Sequence, residues 1–139
     1  MNIKMKDATP VCFLSRSVTF QASHMLPLTP PDHKCQRMHG HSYEVRVTLK
    51  GPLRDDGFVV DNSEIDATLW QVYEAFDHTC LNDAEGQLGA NPTAEWLCVW
   101  VWQLFNLTDL RHLLYEVQVN EGPNSIFAFR GAYDPDTNG

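Results

Sequence analysis

Between His39 and Lys50 the chain alternates strictly. His39, His41, Tyr43, Val45, Val47 and Leu49 fall on one face of an extended strand, with Ser42, Glu44, Arg46, Thr48 and Lys50 on the other. The same period of two runs from Phe13 to His24, where Leu14, Val18, Phe20, Ala22 and His24 share a face interrupted only by Arg16. Each row predicts a half-buried strand, and each apolar face ends in imidazoles. After Lys50-Gly51-Pro52, the turn residues Asp55-Asp56-Gly57 lead to a short apolar piece, Phe58 to Val60, and the period then changes. Ile65, Leu69, Val72 and Phe76 predict a helix that begins near Asn62 or Ser63, either a good N-cap, and ends near Asp77-His78. A polar loop is expected from Leu81 to Ala90. Asn91 and Pro92 read as N-cap and first position of a second helix. Trp96, Leu97, Val99, Trp100, Val101, Leu104 and Phe105 cover most of its circumference, which predicts deep burial. Leu114 to Glu121, with Tyr115, Val117, Val119 and Glu121 on one face, and Ile126 to Arg130, after a turn at Gly122-Pro123-Asn124, predict two closing strands. An exposed polar tail is expected beyond Gly131. The order is ββααββ.

At 139 residues the chain is long enough for a single domain whose core needs no disulfide staples. Cys12, Cys35, Cys80 and Cys98 show no CxxC pair, which favours free thiols in a reducing compartment. The first residues lack the apolar run of a signal peptide, so a cytoplasmic protein is expected. The longest unbroken apolar run, Trp96 to Trp102, is far short of a membrane span. A formal net charge of -8, with only 10 Lys and Arg, argues against a nucleic-acid partner.

The chemistry concentrates where the strand rows end. His39 and His41 point one way from a strand, with Gly40 between them leaving the backbone free to approach closely, and His24 ends the other row. A single histidine on an apolar face is more often a hydrogen-bonded core residue. Three at the ends of two strands predict a metal site formed by His24, His39 and His41. His33 fits no such row. Three neutral imidazoles leave an open coordination position, as in catalytic zinc. Cys35, on a loop with Lys34 and Arg37, is the leading candidate for a base, since reactive cysteines use positive surroundings. Alternatively it is a fourth ligand closing a noncatalytic site, with Lys34 and Arg37 two solvated loop charges. Cys12 and Cys98 are expected to be buried and inert. Asp77-His78 is either a second acid and base pair or a histidine placed for the helix dipole. Glu121 ends an apolar row, so it needs a partner such as Arg16 or Arg130, or exposure at the strand end.

The segments TFQASHMLP, HKCQRMHGHSYEVRV, FDHTCLND, NPTAEWL and QVNEG resemble, over nearly the whole chain, the 6-pyruvoyltetrahydropterin synthase family. Within it the chain is most similar to the bacterial 6-carboxytetrahydropterin synthases of queuosine biosynthesis. The resemblance implies an α+β tunnelling fold, a four-stranded antiparallel sheet with two helices on one face. It further implies ring-like homo-oligomers with active sites between subunits. The implied zinc ligands are His24, His39 and His41, with Cys35 as catalytic base, Asp77 and His78 as a proton relay, and Glu121 as the carboxylate that anchors a pterin. The implied substrate is a small molecule, 7,8-dihydroneopterin triphosphate, whose phosphates would meet the basic residues beside Cys35. The CxxxHGH spacing from Cys35 to His39 resembles the carboxy-forming branch, which releases acetaldehyde and triphosphate; pyruvoyl-forming enzymes usually place the cysteine farther from HGH. A domain that binds metal or pterin without turnover is the alternative. Gly122 stands where the family usually has Thr, and Asn62 where it usually has Phe.

Overall fold

The computed structural model describes residues 8–132, and the expected tail lies outside them from residue 133 onward. Strands β1 (Val11–His24) and β2 (His39–Pro52) form a long hairpin, followed by α1 (Asn62–Phe76), β3 (Thr79–Cys80), α2 (Glu85–Leu88), α3 (Ala94–Asn106), β4 (Leu114–Glu121) and β5 (Ser125–Phe129). They build one sheet in the order β3-β1-β2-β4-β5. Its pairs are antiparallel except β3, which runs parallel to β1 through Ala22 with Thr79 and Ser23 with Cys80.

The expected four-stranded antiparallel sheet with two helices is therefore corrected to a five-stranded mixed sheet with three helices among the described residues. β3 is too short for any periodicity to show. It forms because the chain leaving α1 passes the end of β1. The expected polar loop from Leu81 to Ala90 contains a 3-10 turn (Leu81–Ala84) and the single-turn helix α2. Leu81 and Leu88 are fully buried there, and anchoring them in the core gives the segment its local structure.

α1 packs on β1, and α3 packs on β4 and β5. Between the layers, Val45, Val47 and Leu49 of β2 and Val117 and Val119 of β4 meet Ile65, Leu69 and Val72 of α1 and Leu97, Val101 and Phe105 of α3. Arg16, the polar interruption in the β1 row, reaches α1 and donates two hydrogen bonds to Asp66, at 2.9 and 2.7 Å. At the far end of β4 a register shift pairs Thr48 with Glu116 but Leu49 with Leu114. Leu114 thus packs against the core, while Tyr115 turns outward and meets Phe13 edge-on at 5.0 Å. The expected row ending in Glu121 keeps Val117 and Val119 and loses Tyr115.

α1 starts at Asn62, within the expected bounds, but neither helix takes its cap from the expected residues. Asp61 caps α1, accepting from the Ser63 amide at 2.8 Å. Thr93 caps α3, accepting from the Trp96 amide at 3.3 Å. Asn91 is engaged elsewhere, accepting from the Leu28 amide at 3.2 Å, and the Pro92 carbonyl is taken by His24. α3 is buried on one side only. Trp96 is 54% exposed, and Trp100 and Trp102 lie half-buried across its flanks with their edges on Phe76 and Phe129. Cys98 is buried, and burial pushes its thiol up to about 12. Cys12, expected to be buried, is exposed. No helix among the described residues is long and apolar enough to cross a membrane.

The cap assignment is checked by chemical denaturation. Thr93→Ala is expected to lower the unfolding free energy by about 1 kcal/mol. A change at the noise level would return the start of α3 to Asn91.

Candidate active site

The β1–β2 register places His24 opposite His39 and Ala22 opposite His41. The small Ala22 side chain leaves the space that the His41 ring takes. Gly40 is not the reason for the close approach, because a Cβ there would meet only the Ala22 carbonyl oxygen at 3.6 Å, an ordinary contact. The ring centroids lie 4.5 Å (His24–His39), 4.9 Å (His39–His41) and 5.3 Å (His24–His41) apart. Each histidine offers one nitrogen, and these three atoms lie within 4.8 Å of one another.

Two of the rings are oriented by backbone carbonyls. His24 Nδ1 donates to the Pro92 carbonyl at 2.8 Å, and His39 Nδ1 donates to the Arg37 carbonyl at 2.7 Å. A carbonyl can only accept, so the proton sits on Nδ1 and the lone pair on Nε2, as in histidines that bind metals, with the Tyr43 hydroxyl 3.5 Å from Nε2 of His24. Burial pushes the His24 pKa down, which favours the neutral ring. His41 Nε2 is buried without a hydrogen-bond partner, although Glu121 Oε1 lies 3.2 Å away. A buried, unpartnered ring nitrogen beside the Nε2 lone pairs of two further histidines fits a divalent metal held by imidazoles. Cys35 is not part of this group of three. Tyr43 forms the floor: it is fully buried, its hydroxyl lies 3.4 Å from His24 Nδ1, and burial raises its pKa.

A cavity of about 660 Å³ opens beside the histidines, lined by Lys34, Cys35, Arg37, His39, His41 and Glu121 together with the turn from Gly122 to Ser125. Glu121 pairs with Tyr43 in the β2–β4 register, which brings it diagonally to His41. Neither arginine weighed as its partner is available: Arg16 is held by Asp66, and Arg130 donates to Glu116 at 2.7 Å. Gly122, directly after it, has φ +69 with open space where a Cβ would stand. Backbone conformation rather than crowding calls for glycine, and its amide donates to the Ser42 carbonyl at 3.2 Å. Cys35 sits on a 3-10 turn (Lys34–Gln36) whose first turn is capped by His33.

Asp77 and His78 face elsewhere. His78 lines a second cavity of about 620 Å³ with Gln21, Ala22, Ser23 and Cys80, and His41 borders both cavities. Asp77 Oδ2 accepts from His78 Nδ1 at 2.7 Å, Asp77 Oδ1 accepts from the Gln21 amide at 3.0 Å, and the His78 amide donates to the Gln21 carbonyl at 2.6 Å. The Gln21 amide first, and His78 second, hold the Asp77 carboxyl below the usual carboxylate range. This clamp keeps His78 at φ 58, a left-handed conformation costly for a non-glycine residue, and leaves its imidazole 78% exposed. One chain therefore brings Cys35, His39, His41 and Glu121 to a common cavity but not Asp77 and His78. Sequence reasoning missed His33, Tyr43, the Gln21 clamp and the Pro92 carbonyl. Tyr43 read as core. Backbone groups such as the Pro92 carbonyl leave no side-chain signal.

A family model described as 6-pyruvoyl tetrahydropterin synthase matches residues 13–132. A 6-pyruvoyl tetrahydrobiopterin synthase of Drosophila melanogaster is 35% identical over 138 residues, covering 89% of this chain and 82% of its own length. A 6-carboxy-5,6,7,8-tetrahydropterin synthase of Synechocystis is 36% identical over 93 residues, covering 63% of this chain and 69% of its own. The structure of the Caenorhabditis elegans 6-pyruvoyl tetrahydropterin synthase superposes with a TM-score of 0.80 at 26% identity, covering 89% of this chain and 98% of that one.

The metal site is tested by elemental analysis. His41→Ala is expected to lose most of the bound divalent ion, since two imidazoles compete poorly with water. Full occupancy in that variant would remove His41 from the ligand set.

Proposed function

The chain belongs to the 6-pyruvoyl tetrahydropterin synthase family of pterin-converting enzymes, and from that premise we propose that it is a zinc-dependent synthase acting on 7,8-dihydroneopterin triphosphate. The product we assign is 6-carboxy-5,6,7,8-tetrahydropterin, formed with uptake of one water and release of acetaldehyde and triphosphate, in queuosine biosynthesis. The observation that carries the reading is the common cavity: Cys35 and Glu121 line the same space as His39 and His41, beside a buried unpartnered Nε2.

His24, His39 and His41 would hold the zinc. When bound, it supplies an open coordination position that polarises a substrate oxygen and stabilises charge as the adjoining carbon loses its proton. Cys35 is the group that takes that proton. Lys34 and Arg37, on the same wall, offer positive charge to the triphosphate. Glu121 accepts a parallel pair of hydrogen bonds from the pterin's 2-amino group and adjacent ring N–H, the geometry in which a carboxylate meets arginine. The exposed His78 with its oriented Asp77 suits a site completed across a subunit boundary. In this reading Asp77 and His78 of the partner subunit serve as the proton relay of a homo-oligomer. The four free cysteines are in keeping with a reducing cytoplasm.

One observation favours a second product. The Drosophila relative, similar over 89% of this chain, is a 6-pyruvoyl tetrahydrobiopterin synthase, whereas the Synechocystis carboxy-forming relative is similar over 63%. The Cys35 to His39 spacing favours the carboxy product. Mass spectrometry after incubation with 7,8-dihydroneopterin triphosphate decides between them. The expected outcome is the 6-carboxy product with acetaldehyde; a pyruvoyl product selects the second reading, and no product from zinc-loaded protein rejects both.

Cys35→Ala is expected to keep its zinc while turnover falls by roughly two to four orders of magnitude, the usual contribution of a positioned proton-transfer group. Loss of zinc together with activity would make Cys35 a ligand instead. Glu121→Gln sets a donor against the pterin's donors, so binding of a pterin analogue, measured by calorimetry, is expected to weaken by about 1.5 to 3 kcal/mol with metal content unchanged. Unchanged affinity would leave Glu121 with a structural role.

A further inference from the structure

We propose that His33 is a positioning residue for Cys35, holding the base at a fixed place relative to the histidine cluster; the inference rests on reading Cys35 as the base. A 3-10 turn of three residues has no ladder of its own, so the amide and carbonyl of the residue it carries must find partners outside it. Cys35 has one on each side. Its carbonyl accepts from the Leu26 amide at 2.7 Å, and its amide donates to His33 Nδ1 at 3.1 Å. Leu26 lies just past His24 at the end of β1. On the other side of the turn, the Arg37 carbonyl accepts from His39 Nδ1 at 2.7 Å. The backbone that carries the thiol is thereby tied at one end to the strand bearing His24 and at the other to His39.

Of the ties made by Cys35's own backbone, only the one to His33 depends on a side chain. The His33 ring accepts through Nδ1, so that nitrogen carries no proton. His33 is exposed, and its backbone is already held by hydrogen bonds to Pro30 and Gln36, at 2.8 and 3.0 Å. Shortening the side chain therefore removes no core packing and leaves the turn's main-chain bonds available. What it removes is the acceptor for the Cys35 amide, which frees the thiol to sample positions away from the substrate. Asparagine separates this role from any other, because its Oδ1 stands the same number of bonds from the backbone as Nδ1 and is among the best N-cap acceptors. It has no imidazole to transfer a proton.

The test compares zinc-loaded His33→Ala and His33→Asn with the parent protein by hydrogen exchange at the Cys35 amide, steady-state kinetics and elemental analysis. In His33→Ala, exchange is expected to accelerate and kcat to fall, each by roughly fivefold, the population shift of a lost N-cap, with KM and zinc content unchanged. His33→Asn is expected to restore both. Parent-like exchange and kcat in His33→Ala would overturn the proposal. So would a His33→Asn protein as impaired as the alanine variant, since the ring itself would then be needed. If the parent protein turns over no dihydroneopterin triphosphate, the functional reading fails, and exchange at Cys35 still decides whether His33 fixes it.

Discussion

The antiparallel pairing of β1 with β2 holds His24 directly opposite His39, and the site is laid out from that register. Side chains on a strand alternate faces, so a slip by one residue would send His39 and His41 to the polar side of the sheet and strand His24 alone. The register is protected by the core rows themselves. Phe20 pairs with Tyr43 and Val18 with Val45, so the contacts that bury the apolar face also align the imidazoles. The β2–β4 pairing extends the alignment by setting Glu121 opposite Tyr43. Folding energy and site geometry are in this sense one quantity.

Burial at this end of the sheet carries an electrostatic cost that the structure answers with carbonyls. The Pro92 and Arg37 carbonyls each accept from one ring nitrogen, of His24 and of His39 respectively. His41 Nε2 is left over, close to a carboxylate but outside hydrogen-bonding alignment. A stable fold seldom buries such an atom with nothing to bind it. Fully buried Tyr43, with a hydroxyl disfavoured as an anion, keeps the floor uncharged, and among the described residues Glu121 is the carboxylate that lines the cavity.

Around that rigid centre stand two groups held less deeply. Cys35 depends on a short turn braced from outside, and His78 on a backbone clamp that keeps it left-handed at the edge of β1. Strand faces place the histidines to within a side chain's width, whereas loop residues depend on individual hydrogen bonds. The common cavity gathers the thiol, two imidazoles and the carboxylate, and the His78 ring projects from another side of the same strands.

Much of this was legible in the sequence because period-two patterning reports directly on which face a side chain takes. The rows ending in His24, in His39 and His41, and in Glu121 needed only alternation, and the structure places all four side chains at one end of the sheet. Motif order carried the family. The tertiary structure decided what alternation cannot encode. A two-residue strand such as β3 has no period to read, and a bulge between Thr48 and Leu49 turned Tyr115 outward against the pattern. Thr93 rather than Asn91 caps α3 because Asn91 is drawn to the Leu28 amide, a residue distant in sequence. His33, which belongs to no row, takes its role from a bond to one backbone amide. Patterns in sequence record the average environment of a face, and single hydrogen bonds across loops are settled only when the chain is folded.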